Sequence, residues 1–232
     1  MKTRQRIAET IVISLGGSVI VPEEIDTKFL KDFRRIILDY VKKGIHFIII
    51  CGGGMTSRKY IRAAHEISGA SAVEEDWIGI RATQLNAQLV RAMFGRMAHP
   101  EIIVNPNKKF KPRERIIVAA GYLPGSSTDY DAVLLAKNFK VKRIINISNI
   151  DHVYDKDPRK FSDARPIKNI SWNEFIKMVG TKWSPGLNAP FDPVASIHCM
   201  KSGIRVDIIG KDIKNIRRAI LGNNFKGTTI SN

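Results

Sequence analysis

Cysteine is almost missing from this chain: Cys51 and Cys199 are the only two in 232 residues. Two thiols so far apart build neither a disulfide framework nor a zinc site, which points to a reducing compartment, the cytoplasm. Long apolar runs are missing as well. The longest, residues 45–51, has the length of a strand, against roughly 20 residues for a helix that crosses a bilayer. Residues 1–10 are charged and hold no apolar signal-peptide core, so no membrane association is expected. Aromatic residues make up 8% of the chain, too few and too scattered for a base-stacking platform. Acidic residues are scarce beside basic ones, 22 against 38, leaving a formal net charge of +16. A surface of that sign attracts polyanions. The basic residues are nevertheless spread over 108–115, 137–143, 159–168 and 211–218, with no helix-turn-helix pattern beside them. They read as a solvated basic surface, and a nucleic-acid partner is not expected. Internal repeats, low-complexity tracts and long Pro/Gly/Ser linkers are absent too, so one domain over residues 1–232 is expected.

What is present is an alternation of strand-sized and helix-sized patterns. Residues 11–15 form a continuous apolar run, the mark of a buried strand. Pro22 then opens a helix to about Lys43, with Phe29, Phe33, Ile36, Ile37 and Tyr40 at helical spacing. A second buried strand over 45–50 ends in a glycine triplet, and a helix over about 56–67 follows. Ile78, Ala82, Leu85, Leu89 and Met93 mark one face of a long helix over 76–98, with Val90, Phe94 and Met97 on a neighbouring stripe. Short strands fit 102–104 and 116–119, a helix fits 129–139, and a strand fits 143–148. Residues 105–113, with two prolines, read as an excursion or hairpin. The last third gives helices near 171–179, 191–202 and 213–221, a strand over 204–209 and a closing strand near Thr228. Continuous apolar strands alternating with helices predict an α/β fold with a mainly parallel sheet and helices on both faces.

Three glycine-bearing turns fall after strands: "LGGS" (15–18), "CGGGMTSR" (51–58) and "AAGYLPGSSTDYD" (119–131). In a parallel sheet the ligand lies outside the carboxyl ends of the strands. Glycine there admits a close backbone approach, and N–H groups at a helix start bind oxyanions. Any one such turn is more often structural than functional, but three at one end of a sheet point to a phosphate site. Neither G-x-G-x-x-G nor the P-loop G-x-x-x-x-G-K-[ST] is present. A fourth polar stretch, "ISNIDHVYDKDPRK" (147–160), follows the 143–148 strand; taken alone it reads equally as a solvated connection.

At these stretches the chain resembles the amino-acid-kinase superfamily and, within it, the archaeal type of UMP kinase. The resemblance rests on Gly16-Gly17-Ser18, on Gly52-Gly53-Gly54 with Arg58, and on Asp76 with Gly79, Ile80, Thr83 and Asn86. It continues through Pro124-Gly125 with Thr128-Asp129, then Ser148-Asn149, Asp151, Val153-Tyr154 and Asp157-Pro158, and closes with Asp192-Pro193 and Gly227-Thr228-Thr229. These motifs run in order over almost the whole chain. The resemblance implies a three-layer αβα sandwich, with a UMP-binding lobe over about 1–140 and an ATP-binding lobe over about 141–232.

It also implies the chemistry: the γ-phosphoryl of ATP passes directly to the phosphate of UMP, giving UDP and ADP, with Mg²⁺ carried mainly on the phosphates. Two polyanions meeting head-on need charge offset and in-line positioning. By resemblance, Gly17 and Ser18 offer donors to the phosphates in transit. Gly53 and Gly54 sit between the UMP and ATP phosphates, and Arg58 clamps them. Asp76 accepts from the UMP ribose; as a first-turn acid it also suits the helix dipole. Tyr122, Leu123, Pro124, Gly125, Ser126, Ser127 and Thr128 wrap the UMP phosphate and uracil. Asp129 starts the next helix and orients the cations of the centre. Ser148, Asn149, Tyr154 and Asp157 form the ATP nucleoside pocket, and Lys160 reaches toward the phosphates.

The chain departs from the pattern in places. Many superfamily members carry a lysine where Ser14 stands, so the principal bridging cation is unassigned. His152 replaces a usual glycine, and "TKWSPGLNAPFDP" (181–193), on the adenine side, differs in length from better-known members. Two rival functions stay open at this level: a kinase of another small phosphate or carboxylate, such as isopentenyl phosphate, and a non-catalytic nucleotide-binding regulator. The two apolar stripes of the 76–98 helix leave large side chains over, and by resemblance they imply a homohexamer built as a trimer of dimers.

Overall fold

The computed structural model describes residues 9–109, 112–182 and 189–232. Along the chain run β1 (Thr10–Leu15), α1 (Gly17–Ile20), α2 (Thr27–Lys42), β2 (His46–Cys51), α3 (Gly54–Ser68), α4 (Ala72–Phe94) and β3 (Ile116–Ala119). They are followed by α5 (Thr128–Asn138), β4 (Arg143–Ile147), β5 (Val153–Tyr154), β6 (Pro166–Ile167), β7 (Asn169–Ser171) and α6 (Trp172–Val179). The last elements are α7 (Pro193–Ser202), β8 (Arg205–Ile209), α8 (Ile213–Ile220) and β9 (Thr228–Ser231). Seven strands form one sheet in the order β3-β2-β1-β4-β8-β9-β7, parallel throughout except for the antiparallel β8–β9 pair. β5 and β6 form a separate small antiparallel ribbon.

The sheet is covered on both faces because its strands are apolar on both sides. Ile11, Ile13 and Leu15 of β1 face α2, α4 and α8, where Phe33, Ile37, Val90, Phe94 and Ile216 are buried. Val12, with Ile48 and Ile50 of β2, faces the opposite layer of α5, α6 and α7, built on Val133, Leu135, Trp172, Phe175 and Ala195. Alternation along each strand thus divides one run of isoleucines between two cores. The result is the α/β architecture expected from the sequence.

Local signals move several boundaries. Pro22 does not open α2; Asp26 does, its carboxylate accepting from the Phe29 N–H at 2.9 Å. A single turn, α1, and a bent connection fill the interval. α4 starts earlier than expected because Ser71 and Glu74 form a capping box, and it stops at Phe94 because Gly95 takes a positive φ of 56°. Its core stripe is Ile80, Thr83, Ala87, Val90 and Phe94, while Leu85 of the expected face is 63% exposed. The expected strand at 102–104 is a single bridge from Ile103 to Ala119, ended by a turn at Asn105. The excursion at 105–113 and the segment at 181–193 are described only in part, since residues 110–111 and 183–188 lie outside the described residues. β5, β6 and β7 are two or three residues long, too short for periodicity to reveal them.

Candidate active site

From β1 the chain turns to the α2 layer, and from β4, the neighbouring strand, it leaves toward the α6–α7 layer. The carboxyl ends of β1 and β4 therefore form a switch point, where a parallel sheet opens a crevice. Both glycine turns meet beside it, backbone against backbone. A Cβ on Gly17 would lie 2.0 Å from the Gly54 N and 2.6 Å from the Gly52 carbonyl carbon. A Cβ on Gly52 would lie 2.5 Å from the Gly17 N, and one on Gly54 2.2 Å from the Gly17 O. Gly54 also has a positive φ of 64°. The glycines interlock, so their first duty is steric; it brings the starts of α1 and α3 together. The other six α-helices are capped by Asp26, Ser71, Ser127, Ser171, Asp192 and Asp212. The starts of α1 and α3 have no side-chain cap; the Met55 N–H of α3 goes to the Val21 carbonyl at 2.9 Å, and N–H groups at such a start are the kind that meet an anion.

One face of α4 holds this arrangement together. Asn86, buried, donates its amide to the carbonyls of Gly52 (2.8 Å) and Gly53 (3.0 Å). One turn earlier, the Thr83 hydroxyl accepts from the Gly121 N–H at 2.9 Å and donates to the Ile80 carbonyl. At the start of the same face, Asp76 accepts from the Gly125 N–H at 2.8 Å. The motif residues Asp76, Thr83 and Asn86 thus tie the glycine triplet and the 121–128 loop to one rigid helix. Thr83 and Asn86 carried no assigned role in the sequence. The signal was there, since polar residues stand at helical spacing on an otherwise apolar face.

Beneath the crevice lies a buried polar cluster. Asp129 accepts from the Ser14 hydroxyl at 2.8 Å and from the Asn146 amide at 3.0 Å. Burial pushes its carboxyl up to about 6, against the lowering effect of those two bonds. Asp192 caps α7 through the Ala195 N–H at 2.6 Å, is approached by Ser127, and is also raised by burial. Asp129 was expected to orient cations; its neighbours in this structure are Ser14, Asn146 and Asp192, whose backbone N–H bonds it and whose carboxylate helps to raise it. Asp131, two residues further along α5, accepts from the Tyr122 N–H at 3.1 Å. Its other oxygen, Oδ1, is buried without a hydrogen-bond partner among the described residues, and burial pushes this carboxyl up to about 7.

On the β2 side Arg58, exposed, reaches the Ser18 hydroxyl at 3.4 Å, so the first and second glycine turns share a cation at their mouth. On the β4 side a cleft of about 740 Å³ opens over Ser148, Asn149, Tyr154 and Asp157, with His152, Met178 and Pro190 completing its wall. That volume lies in the range of small-molecule sites. The Asp157 carboxylate is held by Arg159 through both oxygens at 3.1 and 3.2 Å, and these bonds lower its pKa. Lys160 does not line the cleft among the described residues; it sits in the turn after Asp157, its N–H donating to the Asp157 carbonyl. Thr228, of the Gly-Thr motif, is buried and accepts from the Val153 N–H at 2.8 Å, which fixes the Tyr154 strand to the main sheet.

Comparison with known proteins bears on this arrangement. The model of the amino acid kinase family matches residues 9–210. A uridylate kinase of Pyrococcus abyssi is 34% identical over 224 residues, covering 95% of this chain and 98% of that protein. One from Thermoplasma volcanium is 35% identical over 217 residues, covering 92% and 94%. The crystal structure of uridylate kinase from Archaeoglobus fulgidus superposes with a TM-score of 0.80 at 32% identity, covering 95% of this chain and 99% of that one.

Proposed function

This chain belongs to the amino acid kinase family, and from that premise we infer that it is a uridylate kinase, moving the γ-phosphoryl of ATP onto the phosphate of UMP to give UDP and ADP. The observation that carries the reading is the interlock of the Gly16–Ser18 and Gly52–Gly54 turns at the switch point, held to the 121–128 loop by α4. Such a frame performs the two tasks of phosphoryl transfer, positioning and charge offset, without a covalent intermediate. The acceptor phosphate is ionised already and needs no base. The rival small-acid kinase and regulator readings are not favoured, because relatives matching over nearly the whole chain are uridylate kinases. A coupled assay of ADP release over a panel of UMP, AMP, GMP and acetylglutamate tests this. Dependence on UMP supports it, and no turnover with any nucleoside monophosphate sinks it.

Within that reading we assign the acceptor to the 1–140 half and the donor to the 141–232 half. Asp76 and the Tyr122–Thr128 loop receive UMP, and its ribose replaces the Gly125 N–H on Asp76. Gly17, Ser18, Gly54 and Arg58 meet the phosphates. Ser148, Asn149, Tyr154 and Asp157 receive the ATP nucleoside, which the shape of the cleft supports. Mg²⁺ enters, in this reading, as part of the nucleotide substrate, held mainly on its phosphates. We assign the chain to the cytoplasm, the reducing compartment that suits two distant thiols. We further propose a homohexamer with dimers as its tightest unit. The α3–α4 hairpin leaves Tyr60, Ile67, Val73, Trp77 and Leu85 exposed, an apolar surface that a second copy would cover. Light scattering at micromolar protein should give six chains, and a monodisperse mass of one chain ends the idea.

A further inference from the structure

β1 brings no positive charge to the transfer point: position 14 is a serine, and its hydroxyl is spent on Asp129. Transfer between two polyphosphate anions is stabilised by cations held where charge gathers. Arg58 stands on the β2 side, so the question is what stands on the other side.

The strand ends lead there step by step. The Gly16 N–H donates to the Ile147 carbonyl at 2.9 Å, and the Ser148 N–H donates to the Ile209 carbonyl at 2.8 Å. Gly210 is the next residue on that rim, and Asp151 presses against it so closely that a Cβ there would lie 2.0 Å from the Asp151 Oδ1. Lys211 follows this glycine in the chain and reaches Asp26 Oδ2 at 2.9 Å, and Lys226 bonds Oδ2 of the Asp151 that presses on it. Lys226 also lies within electrostatic reach of His152 and Tyr154, which line the nucleoside cleft.

Resting on the uridylate kinase reading, we propose that Lys211 and Lys226 are the donor-side cations of this site, parked on Asp26 and Asp151 in the free protein and turning to the ATP polyphosphate when it binds. Both lysine side chains are more than half exposed, at 51% and 66%, and exposed ion pairs contribute little net stability. A polyphosphate in the crevice carries more charge than one carboxylate and accepts stronger, charge-assisted bonds. The flexible stem and compact head of lysine suit such a transfer. Neither carboxylate is stranded by it. Asp26 keeps the Phe29 N–H as the cap of α2, and Asp151 is 45% exposed and solvated. Gly210 gives this arrangement its shape, because any side chain there would push Asp151, and Lys226 with it, off the rim.

The test uses calorimetric titration of the full chain with Mg·AMP-PNP and with adenosine, alongside melting temperatures. Lys211→Met and Lys226→Met should each weaken AMP-PNP binding by about tenfold or more, and the double variant by about a hundredfold. Adenosine binding should stay within about twofold, and Lys→Arg at either position should restore most of the loss. Lys142→Met, at the opposite end of the sheet on the Ser202 carbonyl, serves as the unchanged control. The proposal is overturned if the double variant binds AMP-PNP like the parent. It is equally overturned if adenosine and AMP-PNP weaken in the same proportion, which is the mark of structural tethers. ADP release by the parent chain with UMP decides the functional reading separately. A parent that turns over UMP, with lysine variants of normal AMP-PNP affinity, refutes this inference alone.

Discussion

Asn86 offers the sharpest test of the frame, because it touches no substrate in the proposed reaction and yet holds the glycine triplet. Asn86→Ala removes two donated hydrogen bonds, at 2.8 and 3.0 Å, and leaves the buried Gly52 carbonyl without its side-chain partner. Each net bond contributes roughly 1 kcal/mol, and a stranded buried acceptor costs about 1–3 kcal/mol, so a loss of about 2–3 kcal/mol follows. For a chain of this size that lowers the melting temperature by roughly 4–12 °C. The larger effect is on rate. With the triplet free to shift by a fraction of an ångström against Gly17, in-line geometry is degraded, and kcat should fall by about ten- to a hundredfold. Steady-state kinetics at a temperature where the variant is folded, with both substrates saturating, read this out directly. Asn86→Asp should be worse than alanine, since a carboxylate would face two carbonyl oxygens. A folded Asn86→Ala enzyme with the parent kcat would refute the claim that α4 sets the triplet's position.

Arg58→Ala should lower turnover by about tenfold or more while leaving the melting temperature within a degree or two, since the side chain is exposed and, among the described residues, bonded to the Ser18 hydroxyl alone; an unchanged rate would make it a surface arginine. Asp76→Ala should raise the KM for UMP more than that for ATP, and it should also loosen the loop by freeing the Gly125 N–H; equal loss for both nucleotides would point to a damaged start of α4. Asp131 predicts a pH dependence of stability. Unfolded, its carboxyl ionises near 3.8, whereas the folded protein holds the proton up to about 7. The folded state therefore binds more protons across that window, and this group's contribution makes stability fall as pH rises from about 4 to 7, then level off. Asp131→Asn removes the contribution, so its unfolding free energy from urea titration should gain on the parent's between pH 4.5 and pH 8, by an amount on the order of a few kcal/mol. A constant difference between the two proteins over that range would refute it.

The alternation of apolar runs with helical spacing was enough to read an α/β fold with a parallel sheet, because the period of burial is written in local sequence. The glycine turns were legible for the same kind of reason: Gly16-Gly17 and Gly52-Gly53-Gly54 stand directly after strands, where a parallel sheet exposes its carboxyl ends. The start of α2 was misread because Pro22 is a generic signal, while the cap that decides the start, Asp26, shows itself only when its carboxylate meets the Phe29 N–H. The core face of α4 was misread because two apolar stripes compete, and which one is buried depends on where the sheet and α3 lie.

Contacts between segments far apart in sequence were decided by the tertiary structure alone. That Gly17 and Gly54 exclude any side chain from each other, and that Asn86 holds two of the triplet's carbonyls, follows from helix α4 lying across a loop more than thirty residues away. That Ser14, standing where a lysine is usual, is bound to Asp129 follows from β1 lying beside β4 and beneath the start of α5. Periodicity specifies which side of an element is buried. What that side meets depends on strand order, and in this chain strand order brings the glycines, the Ser14–Asp129 pair and Lys211 to the carboxyl ends of the central strands.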